Sequence, residues 1–139
     1  MGTKMKLSLN DYTIFNKTVG ESDIYLFAGI TGDFANNHVN ASFMEETEYG
    51  KIIAHGVLLL GFTSTTSTKM AAKSGMSAVS YGYDKVRFTN PVFVGDTITA
   101  TYTIKELDEY NLKSYSLIEV RNQHNELCLV AEHILKFID

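Results

Sequence analysis

The sequence has very little cysteine, proline or tryptophan: of its 139 residues, one is Cys, one is Pro and none is Trp. The single cysteine, Cys128, cannot form an internal disulfide, which argues against a disulfide-stapled secreted domain and favours a reducing compartment. A chain of this length can bury roughly two thirds of its unfolded surface, so it needs neither disulfides nor a structural metal to fold. We therefore expect a single domain over residues 1–139.

Positive charge and long apolar runs are scarce as well. Twelve Lys and Arg stand against 16 Asp and Glu, a formal net charge of −4, and no basic cluster is long enough to follow a phosphate backbone. The longest apolar run, residues 52–62, contains His55 and is too short to cross a bilayer. Residues 1–9 carry no apolar run of signal-peptide length. These absences predict a cytoplasmic protein with neither a nucleic-acid nor a membrane partner.

The second half of the chain has the period-two pattern of β-strands. Ile98, Ala100, Tyr102 and Ile104 alternate with threonines from Thr97 onward. The same reasoning predicts further strands over residues 12–19, 79–88, 112–122 and 126–138. Asp, Glu and Asn residues supply the turns between the later strands. Consecutive strands joined by short turns form an antiparallel sheet.

The first half of the chain is predicted to be helical and rich in turns. Ser22 or Asp23 can cap a first helix, which should end near Thr31-Gly32. Asn40 can cap a short second helix that ends before Gly50.

A third helix is predicted from His55 to Lys73. Helix propensity alone supports it weakly, because a run of Ser and Thr follows its apolar start. Its apolar residues point to nearly all sides, as expected of a helix that is buried on most of its surface. Helices followed by strands indicate the α+β class.

The densest polar segment is residues 31–40, between the first two predicted helices. Asp33 and His38 are five residues apart, so a turn can bring a carboxylate and an imidazole to the same water. Such a pair suits proton transfer near neutral pH. The same residue types also suit a plain turn, with Asp33 closing one helix and Asn40 capping the next. On the residues alone, the plain turn is the stronger interpretation.

A second feature is His55-Gly56 at the start of the third predicted helix. A helix N-terminus offers free backbone N–H groups and a partial positive charge, which suits an anion or a developing oxyanion. Gly56 would let a ligand approach the backbone closely. Equally, His55 can be a half-buried capping residue and Gly56 part of a tight turn. Neither feature alone identifies an enzyme.

Taken together and in order, three segments resemble the MaoC-like (R)-specific enoyl-CoA hydratases, the hydratase-2 family. Residues 27–33 followed by His38 resemble the family's Gly-Asp-x-Asn-Pro-x-His pattern, whose Asp and His fall on Asp33 and His38. Residues 53–57 resemble its His-Gly-Met/Val segment, and residues 86–97 resemble its Arg-Phe-x-x-Pro-Val-x-x-Gly-Asp segment. The similarity covers nearly the whole chain.

Two residues depart from the family pattern. Ala35 replaces the usual Asn, which removes a side chain that can order the loop, and Asn36 replaces the usual Pro, which removes a fixed φ. The resemblance implies the hotdog fold, an antiparallel sheet wrapped around one long central helix, here residues 55–73. It also implies a homodimer with the acyl-CoA near the protomer interface.

The activity implied by the resemblance is reversible hydration of trans-2-enoyl-CoA to (R)-3-hydroxyacyl-CoA, with CoA as part of the substrate and no separate cofactor or metal. Asp33 is expected to be the general base, and His38 to orient the water and share the proton transfer. The Gly56 N–H is expected to stabilise the enolate-like oxyanion. Three further side chains are expected to bind substrate: Phe34, His55 and Tyr81.

Two alternatives of other classes stay open. A hotdog acyl-CoA thioesterase needs a carboxylate on the central helix, but residues 55–73 contain no Asp or Glu. A non-catalytic acyl-CoA-binding module would not need Asp33 and His38. Aromatic residues on the second predicted strand can line an acyl tunnel, although strand aromatics are more often core: Tyr81, Tyr83 and Phe88. Other side chains are interpreted as a solvated sheet face (Lys85, Arg87 and Lys105) or as structural groups (His124, Cys128 and His133).

Overall fold

The computed structural model describes residues 5–138, which form five strands and four helices. In chain order the elements are β1 (Tyr12–Thr18), α1 (Glu21–Thr31), α2 (Asn36–Val39), α3 (Ala41–Glu45), α4 (Gly56–Ser74), β2 (Ser77–Phe88), β3 (Thr97–Asp108), β4 (Lys113–Arg121) and β5 (Leu127–Ile138). The predicted α+β class is confirmed, and each predicted strand is present within two residues of its expected ends.

The strands form one antiparallel sheet in the order β1-β3-β4-β5-β2. The consecutive strands β3, β4 and β5 are neighbours, as short turns require, whereas β2 pairs with β5 and leaves β1 and β2 at the two edges. The pairing of β2 with β5 shifts register between Ser80 and Gly82 and again between Asp84 and Arg87. Such bulges bend a strand and redirect its side chains.

The central helix α4 contacts all five strands from one face of the sheet. The predicted alternation in β3 is confirmed, because Ile98, Ala100, Tyr102 and Ile104 are fully buried beneath it. Buried Ser and Thr residues of α4 donate hydrogen bonds to carbonyl oxygens one turn earlier, such as Ser67 Oγ to Ser64 O at 2.8 Å. These bonds satisfy the hydroxyls inside the core, so a weak helix-forming sequence can be a buried helix.

The N-terminus of α1 differs from the prediction. The N-cap is Gly20, not Ser22 or Asp23. Asp23 lies at the third helical position, and its Oδ2 accepts the Gly20 N–H at 2.9 Å. The carboxylate therefore reaches back over the first turn instead of preceding it. The C-terminus agrees with the prediction, because Gly32 follows the helix with φ +83°.

The segment between α1 and α3 is more regular than the predicted loop. It contains α2, a single turn in which the Asn40 N–H donates to Asn36 O at 3.0 Å. Four residues are too few for a helical period to show in a sequence. The predicted cap of α3 is confirmed, because Asn40 Oδ1 accepts the Phe43 N–H at 3.0 Å.

Two of the predicted structural groups lie in β5 and are fully buried. Burial raises the pKa of the Cys128 thiol. His133 forms hydrogen bonds with the Ser80 hydroxyl through Nε2 (2.7 Å) and with the Tyr102 hydroxyl through Nδ1 (2.8 Å). Burial lowers the pKa of His133 to about 4. Within residues 5–138, no helix combines the length and the apolar character that a bilayer crossing requires.

Candidate active site

Three polar side chains meet where the segment after α1, the short helix α2 and the start of α4 converge. A carboxylate oxygen of Asp33 and one ring nitrogen each of His38 and His55 lie within 4.8 Å of one another. Asp33 follows Gly32, the C-cap of α1, while His38 lies on α2 and His55 is the N-cap of α4. The fold therefore brings Asp33 and His38 together, as the turn between them predicted.

Asp33 takes part in a local turn and still offers a carboxylate oxygen. Its Oδ1 accepts the Ala35 N–H at 3.3 Å, and its own N–H donates to Thr31 Oγ1 at 3.2 Å. The side chain is exposed. The turn interpretation and the proton-transfer interpretation are thus compatible, because the turn uses one oxygen and leaves Oδ2 for another partner.

His38 is held with one nitrogen occupied and the other available. Its Nδ1 lies 2.7 Å from the Ile53 carbonyl oxygen. A carbonyl only accepts, so Nδ1 carries the hydrogen, and the neutral ring has its lone pair on Nε2. The Ile53 N–H in turn donates to Asn37 O at 2.9 Å. These two bonds fasten α2 to the chain preceding α4 and fix the tautomer of a potential base.

His55 is 3% exposed and lies behind His38. Its Nε2 is 3.0 Å from the Asp33 carbonyl oxygen. The two imidazole rings stack with 3.7 Å between centroids and 20° between planes. The edge of Phe27 packs against His55 at 4.9 Å and 65°. The interpretation of His55 as a capping residue is wrong, because its side chain makes no capping bond. Its assignment to substrate binding stays a prediction.

A cavity of about 680 Å³ opens beside these residues. His38 and Gly56 lie on its wall together with Phe43, Tyr49 and Phe88. A Cβ at Gly56 would lie 2.9 Å from two carbons of the Phe88 ring, so the glycine lets that ring occupy its present position. Phe88 is 51% exposed, which places it on the cavity and not in the core.

The two other predicted substrate contacts lie outside the wall of this cavity. Phe34 is 59% exposed in the segment between α1 and α2. Tyr81 is 60% exposed at the first bulge of β2, and Lys113 Nζ lies 4.0 Å from its ring centroid. Their assignment to substrate binding stays a prediction.

Asp33, His38 and His55 also form the kind of set that can hold a metal ion. One nitrogen of each ring already contacts a carbonyl oxygen. Because the rings are stacked 20° from parallel, their remaining in-plane lone pairs do not converge on one point, as tetrahedral coordination requires. This geometry disfavours tetrahedral coordination of one metal ion by all three side chains.

The start of α4 supplies hydrogen-bond donors to the same place. Gly56 and Val57 are the first residues of the helix, whose leading N–H groups have no acceptor within it. These groups and the helix dipole favour a negative charge. The cavity wall thus carries an imidazole with a free nitrogen and a helix N-terminus, and the Asp33 carboxylate lies beside that imidazole. Such a set is suited to moving protons next to a carbonyl whose oxygen gains charge.

The chain was also compared with known proteins. The MaoC-like domain family matches residues 4–126. The chain belongs to this family. The resemblance carried by the three sequence segments is therefore confirmed.

Individual MaoC-like relatives extend the match. The chain is 42% identical over 92 residues to an (R)-specific enoyl-CoA hydratase of Rhodospirillum rubrum, a stretch that covers 66% of this chain and 61% of that relative. It is 26% identical over 137 residues to the (R)-specific enoyl-CoA hydratase of Aeromonas caviae, covering 98% and 93% of the two chains. The solved (R)-hydratase of A. caviae, involved in PHA biosynthesis, superimposes with a TM-score of 0.87 at 25% identity and covers 95% of this chain and 98% of its own. The hotdog fold is thus confirmed.

Proposed function

We propose that this MaoC-like chain catalyses the reversible hydration of trans-2-enoyl-CoA thioesters to (R)-3-hydroxyacyl-CoA. The observation that carries the proposal is the Asp33 carboxylate within 4.8 Å of a ring nitrogen of His38, beside a cavity that the N-terminus of α4 adjoins. Two relatives named (R)-specific enoyl-CoA hydratase support it. CoA enters as part of the substrate, so the reaction needs no separate cofactor.

Asp33 and His38 hold the attacking water between them. Hydrogen bonds of about 2.8 Å from one water can join groups as far as roughly 5 Å apart, which accommodates the observed spacing. The water donates one hydrogen to Asp33 and the other to Nε2 of His38, which leaves an oxygen lone pair directed at C3. Asp33 takes a proton as the C3–O bond forms, and C2 then receives a proton from the pair. Hydrogen and hydroxyl are thereby added across the double bond.

The electrons of the double bond move onto the thioester oxygen during this step. The Gly56 N–H, at the positive end of α4, donates to that oxygen and stabilises the enolate-like charge. Such a donor typically contributes on the order of 3 kcal/mol to lowering the barrier. The absence of Asp and Glu from α4 leaves the helix without the carboxylate that a hotdog thioesterase needs to attack the carbonyl carbon.

The proposal is tested by the loss of crotonyl-CoA absorbance with purified wild type and two variants, Asp33→Ala and His38→Ala. Each substitution removes a proton-transfer group, so kcat is expected to fall about 10²–10⁴-fold. Matched controls are Glu109→Gln and His124→Gln, which change an exposed carboxylate and an exposed imidazole in turns remote in sequence from the pair. Both controls should retain wild-type activity.

Other outcomes contradict the proposal in distinct ways. Full activity in either Ala variant shows that Asp33 and His38 are not the reacting pair. Release of free CoA by the wild type, detected with a thiol reagent, identifies a thioesterase instead. Binding of crotonyl-CoA with neither hydration nor CoA release identifies a non-catalytic module.

We further propose a homodimer in the cytoplasm. β2 is an edge strand of 12 residues with exposed apolar side chains at Val79 (49%) and Tyr81 (60%). Such an edge is a template for pairing with a second strand, and a two-fold axis would pair β2 with its own copy. Light scattering should give twice the monomer mass for the wild type, and Val79→Lys should lower the measured mass toward that of the monomer.

The single cysteine supports the proposed location in a reducing compartment.

A further inference from the structure

The buried ring of His55 connects the two proposed catalytic groups without lying on the cavity wall. Through Nε2 it donates to the Asp33 carbonyl oxygen at 3.0 Å, which fixes the backbone that carries the base. Its face lies against His38, with 3.7 Å between ring centroids. Phe27 of α1 packs edge-on against the same ring at 4.9 Å. One side chain therefore touches the backbone of Asp33, the ring of His38 and the helix that precedes them.

The hydrogen bonds also fix which ring nitrogen of His55 faces Asp33. The Asp33 carbonyl can only accept, so the Nε2 of His55 carries the hydrogen. Its Nδ1 is buried and has no hydrogen-bond partner within residues 5–138. His55 is thus held with the Nε2 hydrogen directed at the backbone of Asp33 and with Nδ1 making no competing bond.

We propose that His55 is a positioning residue, a buried support that sets the distance and orientation of His38 relative to Asp33. The inference rests on the proposed function of these two residues and extends it to a third residue that does not touch the reacting atoms. The face of His55 restrains rotation of the His38 ring, so Nδ1 stays on the Ile53 carbonyl and Nε2 stays available for the water.

Three substitutions separate the two contacts. His55→Gln keeps an N–H donor for the Asp33 carbonyl and loses the stacked ring. His55→Phe keeps a ring between Phe27 and His38 and loses the donor. His55→Ala loses both. We expect kcat for crotonyl-CoA to fall about 100-fold in His55→Ala with little change in KM, because misplaced groups slow the reaction more than they weaken binding. Gln and Phe should each restore part of kcat.

A second measurement is independent of turnover. In the wild type, the ¹⁵N shifts of the His38 ring should show a single Nδ1–H tautomer, since Nδ1 faces the Ile53 carbonyl. His55→Ala and His55→Gln should broaden or shift these signals, while His55→Phe should preserve them better. Urea unfolding of each variant shows whether it is folded under the assay conditions.

The outcomes that overturn the inference differ from those that overturn the proposed function. His55→Ala with wild-type kcat, or with a raised KM and unchanged kcat, excludes a positioning role, and the second result makes His55 a substrate-binding residue. Equal loss in Ala, Gln and Phe that follows the folded fraction makes its role purely structural. Full activity of Asp33→Ala or His38→Ala refutes the proposed function, whatever the His55 variants do.

Discussion

At the scale of single residues, Gly56 and Phe88 make a tight contact at the cavity. A Cβ at position 56 would come within 2.9 Å of the Phe88 ring, and these are atoms at the end of a half-exposed side chain that can shift. We therefore expect Gly56→Ala to cost less than about 1 kcal/mol of unfolding free energy, below the usual cost of overpacking a core. The displaced ring should lower kcat/KM about 10- to 100-fold, because it changes the wall on which the substrate lies.

The contact can be isolated by a double-mutant cycle. Phe88→Leu in the Gly56→Ala background should recover part of kcat/KM, since the clash is relieved. Gly61→Ala on the same helix is the matched control, because a Cβ there meets no atom within 4 Å. Strictly additive effects of the two changes, or an equal loss in Gly61→Ala, would show that this contact does not shape the cavity.

Among the residues of the candidate site, the contact between His55 and His38 is the one that the sequence does not predict. The spacing of Asp33, His38 and Gly56 matches a family pattern, and this match predicts their roles. The stacking of His55 on His38 joins residues 17 positions apart. It depends on how α2 packs against the start of α4, and no local pattern encodes that packing. The place of His55 beside Gly56 in the sequence predicts a substrate contact, and it carries no signal for the stacking on His38.

At the scale of elements, the last turn of α1 and its C-cap each have a glycine, and the two differ in backbone conformation. Gly29 is exposed within the helix and Gly32 follows it at φ +83°, and a Cβ at either position meets no atom within 4 Å. Gly29→Ala should raise the free energy of unfolding by about 0.5–1 kcal/mol, since alanine loses less backbone entropy. Gly32→Ala should lower it by about 1–2 kcal/mol, since an L-residue is strained at positive φ.

Urea unfolding of the two variants measures both changes. Because neither methyl group has a neighbour to contact, opposite signs can only come from the backbone. If both variants shift in the same direction, the C-terminus of α1 does not require the left-handed conformation. Activity gives a second readout, because Gly32 directly precedes Asp33 and strain there should move the carboxylate.

Elements with a clear period were predicted well, and those without one were not. The alternating strands and the capped helix α3 agree closely with the sequence pattern. α2 has too few residues to show a helical period, and its only signature is the turn chemistry of Asn36 and Asn40. The Ser and Thr residues of α4 lower its predicted helix propensity. They are tolerated in the buried helix because their hydroxyls donate to carbonyl oxygens of the same helix.

At the scale of the whole molecule, the order of the sheet cannot be obtained from strand patterns. The position of β2 beside β5 is a property of the topology, and it leaves β2 as a free edge. The end of this strand carries Phe88 to the start of α4, so the edge strand also completes the cavity. Strand β2 therefore belongs both to the proposed dimer edge and to the wall of the candidate active site.

The sheet also contains a buried titratable group that couples stability to pH. His133 is fully buried between Ser80 and Tyr102, and burial lowers its pKa to about 4 from 6.5. Above pH 6.5 the ring is neutral in both folded and unfolded chains. Below that pH the unfolded chain binds a proton that the folded chain does not, so stability falls as pH drops toward 4.

The pKa difference of His133 corresponds to a loss of about 3 kcal/mol between pH 6.5 and 4, with a slope of at most about 1.4 kcal/mol per pH unit. His133→Gln has no proton to bind. It should be less stable than wild type at pH 7.5, because the Ser80 and Tyr102 hydroxyls lose their imidazole partner. Urea unfolding of both proteins across this range should show that the difference in unfolding free energy between wild type and His133→Gln narrows as the pH falls. The carboxylates are the same in the two proteins, so their titration cancels from this difference. A difference that stays constant with pH would mean that His133 binds its proton equally well in the folded chain.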